Sequence, residues 1–271
     1  MKKCFFVFFY LLSAISYPLE SLAQSEWKEE KGDHFIVYYL SDAARPKEIL
    51  RKAETSYNKI AEDLGYPRYS DFWQWDKRVK IYIHPTQEAF QKATGQPSWS
   101  HGMASYLDKS IHSTIADDNF LNAVLPHEIA HLVFRDFVGF RGQVPLWMDE
   151  GVAQWEEDDK RQAALLAMPR LVAAADTFTT QTLTTLDIRK ESDPQKAHLF
   201  YMQAISLVDF LIKNYGASSF TVFCRELRDG KDLEVGMRIA YSNSIQNIED
   251  LDDKWRKYVL TEVSLIHGHT G

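Results

Sequence analysis

Cysteine is nearly absent from this chain of 271 residues, which carries only Cys4 and Cys224. No disulfide framework is available, so the fold must rest on a hydrophobic core, and 45% apolar residues suffice for one. Long apolar runs are lacking too. The one candidate, CFFVFFYLLSAIS at residues 4–16, falls short of the roughly 20 residues that cross a bilayer. Glycine (12) and proline (9) are sparse and scattered, so no linker, repeat or low-complexity tract divides the chain into independent domains. Lysine and arginine are not gathered into a stripe, and the formal charge is −7, which argues against a nucleic-acid surface.

What is present begins with Met1-Lys2-Lys3, a basic start to the apolar run, and continues to Ser21 and Ala23, small residues at the two positions a signal peptidase reads. Residues 1–23 are therefore expected to be a secretory signal peptide, leaving a secreted or periplasmic chain, 24–271, with no membrane attachment. Cys4 leaves with that segment. Cys224, in FTVFCREL, falls on the apolar side of an expected helix and reads as a buried thiol.

Along the mature chain, residues 24–33 are polar and read as a flexible lead-in. HFIVYYL (34–40) and RVKIYIH (78–84) have strand composition, and a helical stripe of Ile49, Ala53, Tyr57, Ile60 and Leu64 lies between them. A short helix at 86–93 follows, and then a hairpin, about 102–107 and 110–116, turning at Asp108-Lys109. Helices are expected at about 118–137, 146–158, 160–175, 197–214, 217–228, 231–240 and 247–263, with a Thr- and Asp-rich loop at 176–196. Strands followed by helices is the α+β pattern. It places a strand-bearing half, about 34–137, against a helical half, about 146–263, within one domain.

The chemistry concentrates in LPHEIAHLVF, residues 125–134. His127 and His131 are four apart, so a helix projects both from one face, where two imidazoles can reach one Zn²⁺ at roughly 2.0–2.1 Å. Glu128 lies beside them, placed to take a proton from an activated water. The rest of the helix is apolar, and burying two histidines and a glutamate there requires something that satisfies them. PLWMDEGVAQWEE (145–157) adds Glu150, with 18 residues between it and His131. Three protein ligands with a fourth position open is the coordination of a catalytic zinc, so one Zn²⁺ per chain is expected. Asp149 is a candidate to orient a ligand histidine, or simply a residue that opens its helix. His34, His84, His101, His112 and His198 lack ligand spacing and read as surface or structural; Trp73, Trp75 and Trp99 read as core or cleft wall.

HEIAH followed after 18 residues by DEGVA resembles the gluzincin peptidases, in particular the aminopeptidase N family and the bacterial peptidase MA-like proteins. The resemblance implies a zincin-like fold, with an N-terminal mixed sheet and active-site helix joined to a C-terminal helical half. It also implies a zinc metallopeptidase acting on peptide or protein substrates, with His127, His131 and Glu150 on the metal and Glu128 as general base. Tyr201, in FYMQAISLVDFLIKNYG, matches the family's oxyanion-donating tyrosine, and Gly102, Met103, Ala104 and Ser105 match its substrate-binding edge strand. At one point the chain departs from the aminopeptidases: Ser105 stands where they carry the glutamate that captures a free amine. Endopeptidase action follows more readily. A zinc-binding module without turnover, or a zinc hydrolase of small amides or esters, are the competing readings.

Overall fold

Alternating side chains in the first half build a five-stranded sheet in the computed structural model, which describes residues 27–66, 73–98, 100, 102–114, 119–139, 144–242 and 244–267. The strands are β1 (Lys28–Lys31), β2 (Phe35–Tyr39), β3 (Val79–Ile83), β4 (Gly102–Ser105) and β5 (Ser110–Ser113), ordered β1-β2-β3-β5-β4. The middle three run parallel, while β1 and β4 pair antiparallel at the two ends. Val37, Ile81 and Ile111 share one register row on the buried face; Tyr38, Tyr82 and His112 share the next row and stack on the other face. The signal-peptide reading of residues 1–23 and the readings of Trp99 and His101 fall outside the described residues.

The helices are α1 (Pro46–Asp63), α2 (Gln87–Thr94), α3 (Leu125–Val138), α4 (Leu146–Trp155), α5 (Asp158–Ala173), α6 (Thr180–Thr185), α7 (Pro194–Tyr215), α8 (Ala217–Arg228), α9 (Leu233–Ala240) and α10 (Ile248–His267). Local chemistry fixes several ends. Pro46 begins α1, Thr86 Oγ1 accepts the Ala89 N–H to cap α2, and Asp193 caps α7 just ahead of Pro194. Mixed strands followed by a helical majority make the chain α+β, as the order of its sequence patterns implied. No described helix is long and apolar enough to cross a membrane.

One apolar core links the two halves. It runs from Phe35 and Ile81 of the sheet through Ile129 and Phe134 of α3 to Val152 of α4 and Val208 of α7. Two helices at its centre are buried on most sides, α3 packing against α1, β4 and α4, and α4 against α7. Gly151 makes the last contact possible. A Cβ there would stand 2.7 Å from the Ala204 carbonyl oxygen and 2.9 Å from Val208 Cγ2.

Four expectations need correction. Residues 28–31 are not a lead-in but β1, a charged strand held by its ladder to β2 rather than by buried side chains. The 176–196 segment contains α6, capped by Thr179 and tied down where Trp147 Nε1 donates to Thr184 Oγ1. The helix expected at 118–137 is not uniform, because a π-helical turn at Phe120–Val124 precedes α3. Pro126 has no N–H for the i−4 carbonyl and its ring crowds that turn, and the wider turn accommodates both. Finally, Trp75 is 80% exposed, whereas Trp73 is buried.

Candidate metal centre

The π-turn and Pro126 lead directly into His127 and Glu128, in the first turn of α3, and His131 follows one turn later. Ring centroids of the two histidines lie 4.7 Å apart at 85°, and their Nε2 atoms face each other at 3.1 Å. Glu150, from the middle of α4, brings Oε2 to 3.9 Å from His131 Nε2. Among the described residues these three form a group able to hold a metal ion, with one donor atom from each within 4.8 Å of the others.

The far side of each ring decides which nitrogen is offered. His131 Nδ1 donates to Asp149 Oδ1 at 3.0 Å, and His127 Nδ1 donates to Glu157 Oε1 at 2.9 Å. An ionised carboxylate only accepts, so each Nδ1 carries the hydrogen and each Nε2 presents a lone pair toward the other. Two facing lone pairs at that distance repel unless a proton or a cation lies between them. Zinc at 2.0–2.1 Å from each of its tetrahedral donors would set them about 3.3 Å apart. The donor set and its spacing therefore fit such an ion.

The charges around His131 favour its protonated form. Burial alone would lower the pKa of His131, but the Asp149 hydrogen bond, with the charges of Asp149, Glu150 and Glu128, outweighs it and lifts it to about 9. Asp149 is itself buried, which would raise its pKa, yet His131 and Arg135 hold it below the ordinary carboxylate range. Arg135 supplies two of those bonds, Nε and Nη2 to Asp149 Oδ2 at 2.9 and 2.6 Å. The chain Arg135–Asp149–His131 thus ties α3 to α4 at the donor group. Glu157 is likewise held low despite burial, by His127 and Lys160.

The structure brings most of the predicted residues together. Glu128 lies against β4, because Gly102 has no side chain to intervene: a Cβ there would sit 3.4 Å from Glu128 Oε1 and 2.5 Å from Val124 Cγ1. Gly102, Met103, Ala104 and Ser105 form β4 itself, half-buried at the sheet edge, with no described strand on its outer side. Ser105 Oγ donates to Asp108 Oδ2, toward the hairpin turn. Tyr201 does not head its helix, which starts two turns earlier at Pro194; its phenol is nevertheless pushed up to about 12, by burial and then by the charge of Glu150. His34 pairs with Glu54, and His84 with His112 at 3.1 Å, away from the donor group.

Sequence reasoning missed Glu157, Arg135 and Tyr106. Glu157 lies past the end of α4, on extended backbone at the N-cap of α5, so no helical interval marked it. Arg135 follows His131 by four, and that helical interval was the available signal. Tyr106, one residue beyond β4, is raised well above its ordinary pKa by burial and then by Asp149, with further contributions from Glu128 and Glu150. Nothing in its spacing marks it.

A sequence profile of the peptidase MA superfamily matches residues 60–261, which includes β4, α3, α4 and α7. No curated protein matches the chain.

Proposed function

Because the chain belongs to the peptidase MA superfamily, whose members are typically zinc-dependent and whose name denotes peptidases, we propose that it is a zinc-dependent endopeptidase. The observation that carries the proposal is the pair of Nε2 atoms at 3.1 Å, with each Nδ1 on a buried carboxylate and Glu150 alongside. His127, His131 and Glu150 would hold the ion. When bound, zinc supplies Lewis acidity that polarises a scissile carbonyl and makes water a better nucleophile at neutral pH.

The remaining steps belong to side chains of this chain. Glu128 accepts the proton of the attacking water on its carboxylate and passes it to the departing amine nitrogen. The Tyr201 hydroxyl, protonated at neutral pH as any tyrosine is, donates to the oxygen on which negative charge develops. The outer edge of β4 binds an extended peptide by strand addition, and Gly102 lets that strand run beside Glu128. Ser105 offers no carboxylate to a free amine, which favours cleavage within a chain over removal of an N-terminal residue. Export is part of the same proposal, supported by the basic start and the apolar run at residues 4–16.

The test is hydrolysis of a peptide library by the zinc-loaded protein and its Glu128→Gln variant. The variant is expected to keep its zinc and lose about 10²–10⁴-fold in turnover. A folded, zinc-bearing Glu128→Gln protein that cleaves at the wild-type rate would overturn the assignment.

A further inference from the structure

A cleft of about 800 Å³ opens between the residues leading into α4, the connection from α6 to α7, and the turn from α8 to α9. Pro145, Leu146, Leu186 and Leu233 give it an aliphatic lining. None of the three metal-ligand candidates lines it, but two features join it to them. Leu146 stands one turn before Glu150 on the same face of α4. Arg189, also in the lining, is held above its ordinary pKa first by Asp187 and then by the Glu150 and Asp149 carboxylates, which puts its guanidinium within electrostatic reach of the donor group.

The charged groups of this cleft cancel formally, Arg189 and Lys231 against Asp187 and Asp232, but they are not equally engaged. Asp232 is committed to capping α9, where it accepts the Glu234 N–H. Asp187 accepts from Arg189 Nε at 2.7 Å and from the Arg189 backbone N–H, and pairs with Lys190 Nζ at 3.3 Å. The Lys231 side chain has no partner among the described residues. The Arg189 side chain is 72% exposed, and surface ion pairs of this kind are weak. If the guanidinium turns to another carboxylate, Asp187 keeps Lys190 and the backbone N–H, so no charge is stranded. Both carboxylates are thus occupied, Lys231 is unengaged among the described residues, and the exposed Arg189 can exchange Asp187 for another carboxylate.

We propose that this cleft sets substrate preference, taking a peptide segment that bears a carboxylate, bound by Arg189 with Lys231 beside aliphatic side chains. The inference rests on the peptidase reading above. An acidic side chain and a chain's own C-terminal carboxylate offer the same chemistry, and a guanidinium fork suits either.

The test uses zinc-loaded full-length protein and fluorogenic peptides that differ only in Glu, Gln or Lys at each position flanking the cleaved bond, each with a free or an amidated C terminus. A charge-assisted pair predicts kcat/KM about tenfold higher for the carboxylate than for its amide counterpart. A preference that follows Glu over Gln assigns the side chain as the source, and one that follows free acid over amide assigns the C terminus; either supports the proposal. Arg189→Gln is expected to bring that ratio close to one, and Arg189→Glu to shift preference toward Lys, an inversion that a folding defect does not produce. A ratio near one throughout for the wild type, or a preference that survives both variants, would overturn the proposal while leaving the peptidase reading intact. No cleavage of any peptide by zinc-loaded protein would overturn both.

Discussion

Replacing Asp149 by asparagine separates what this carboxylate does for the fold from what it does for the metal. The residue is 5% exposed and accepts three bonds, one from His131 and two from Arg135. Asparagine keeps one acceptor oxygen. If that oxygen faces His131, the amide NH₂ faces the guanidinium, donor against donor, and the Arg135 side chain, only 16% exposed, loses the Asp149 carboxylate. Breaking a buried ion pair costs about 3–5 kcal/mol, and partial solvation of Arg135 brings the expected loss to about 2–4 kcal/mol. Loss of a carboxylate behind a ligand histidine lowers metal affinity about 10–100-fold. Urea unfolding of metal-stripped protein reads the first quantity and zinc competition against a chromophoric chelator the second. Glu157→Gln is the contrast: its other partner, Lys160, is 53% exposed and is solvated when the carboxylate goes, so affinity falls with little loss of stability. An Asp149→Asn protein that matches the wild type in both unfolding midpoint and zinc affinity would refute the reasoning.

Three further outcomes are expected. Gly151→Ala forces a methyl against the α7 backbone and should destabilise the protein by about 1–3 kcal/mol or more in a denaturant melt; an unchanged midpoint would contradict the close α4–α7 approach. Burial outweighs the pull of Lys59 on Glu156 and raises its pKa to about 7, so the folded protein holds a proton there that the unfolded chain has released. That contribution to stability is full at pH 4.5 and below and declines as pH rises to 7; Glu156→Gln should flatten the decline by about 3 kcal/mol, read from unfolding curves at pH 4.5 and 8. His131 holds a proton up to about pH 9 in the metal-free protein, and zinc must displace it. Calorimetry at pH 7.5 in buffers of differing ionisation enthalpy should detect about one proton released per zinc bound, whereas release of none would contradict that protonation.

How much of this could be read from the sequence follows from the range of the forces involved. His127 and His131 were legible as a pair because an α-helix fixes which residues four apart share a face, and Glu150 because its interval matches a known pattern. Val79, Ile81 and Ile83 announced β3 through their alternation, and all three are buried. The rest depends on partners distant in sequence. The KEEK segment of β1 has no apolar alternation and is a strand only because β2 offers it a ladder. α6 is a polar segment fixed by Thr179 and by Trp147, 37 residues from its bonded Thr184. Glu157 reaches His127 across 30 residues, and the π-turn answers to Pro126 within a packed helix rather than to any periodic signal.

The most direct test of the metal assignment is anomalous diffraction from a zinc-loaded crystal, measured on both sides of the zinc edge. One peak per chain is predicted, about 2.0–2.1 Å from Nε2 of His127 and of His131 and about 2.0–2.2 Å from a Glu150 carboxylate oxygen. A peak held by other side chains, or none after loading with excess zinc, would contradict the account.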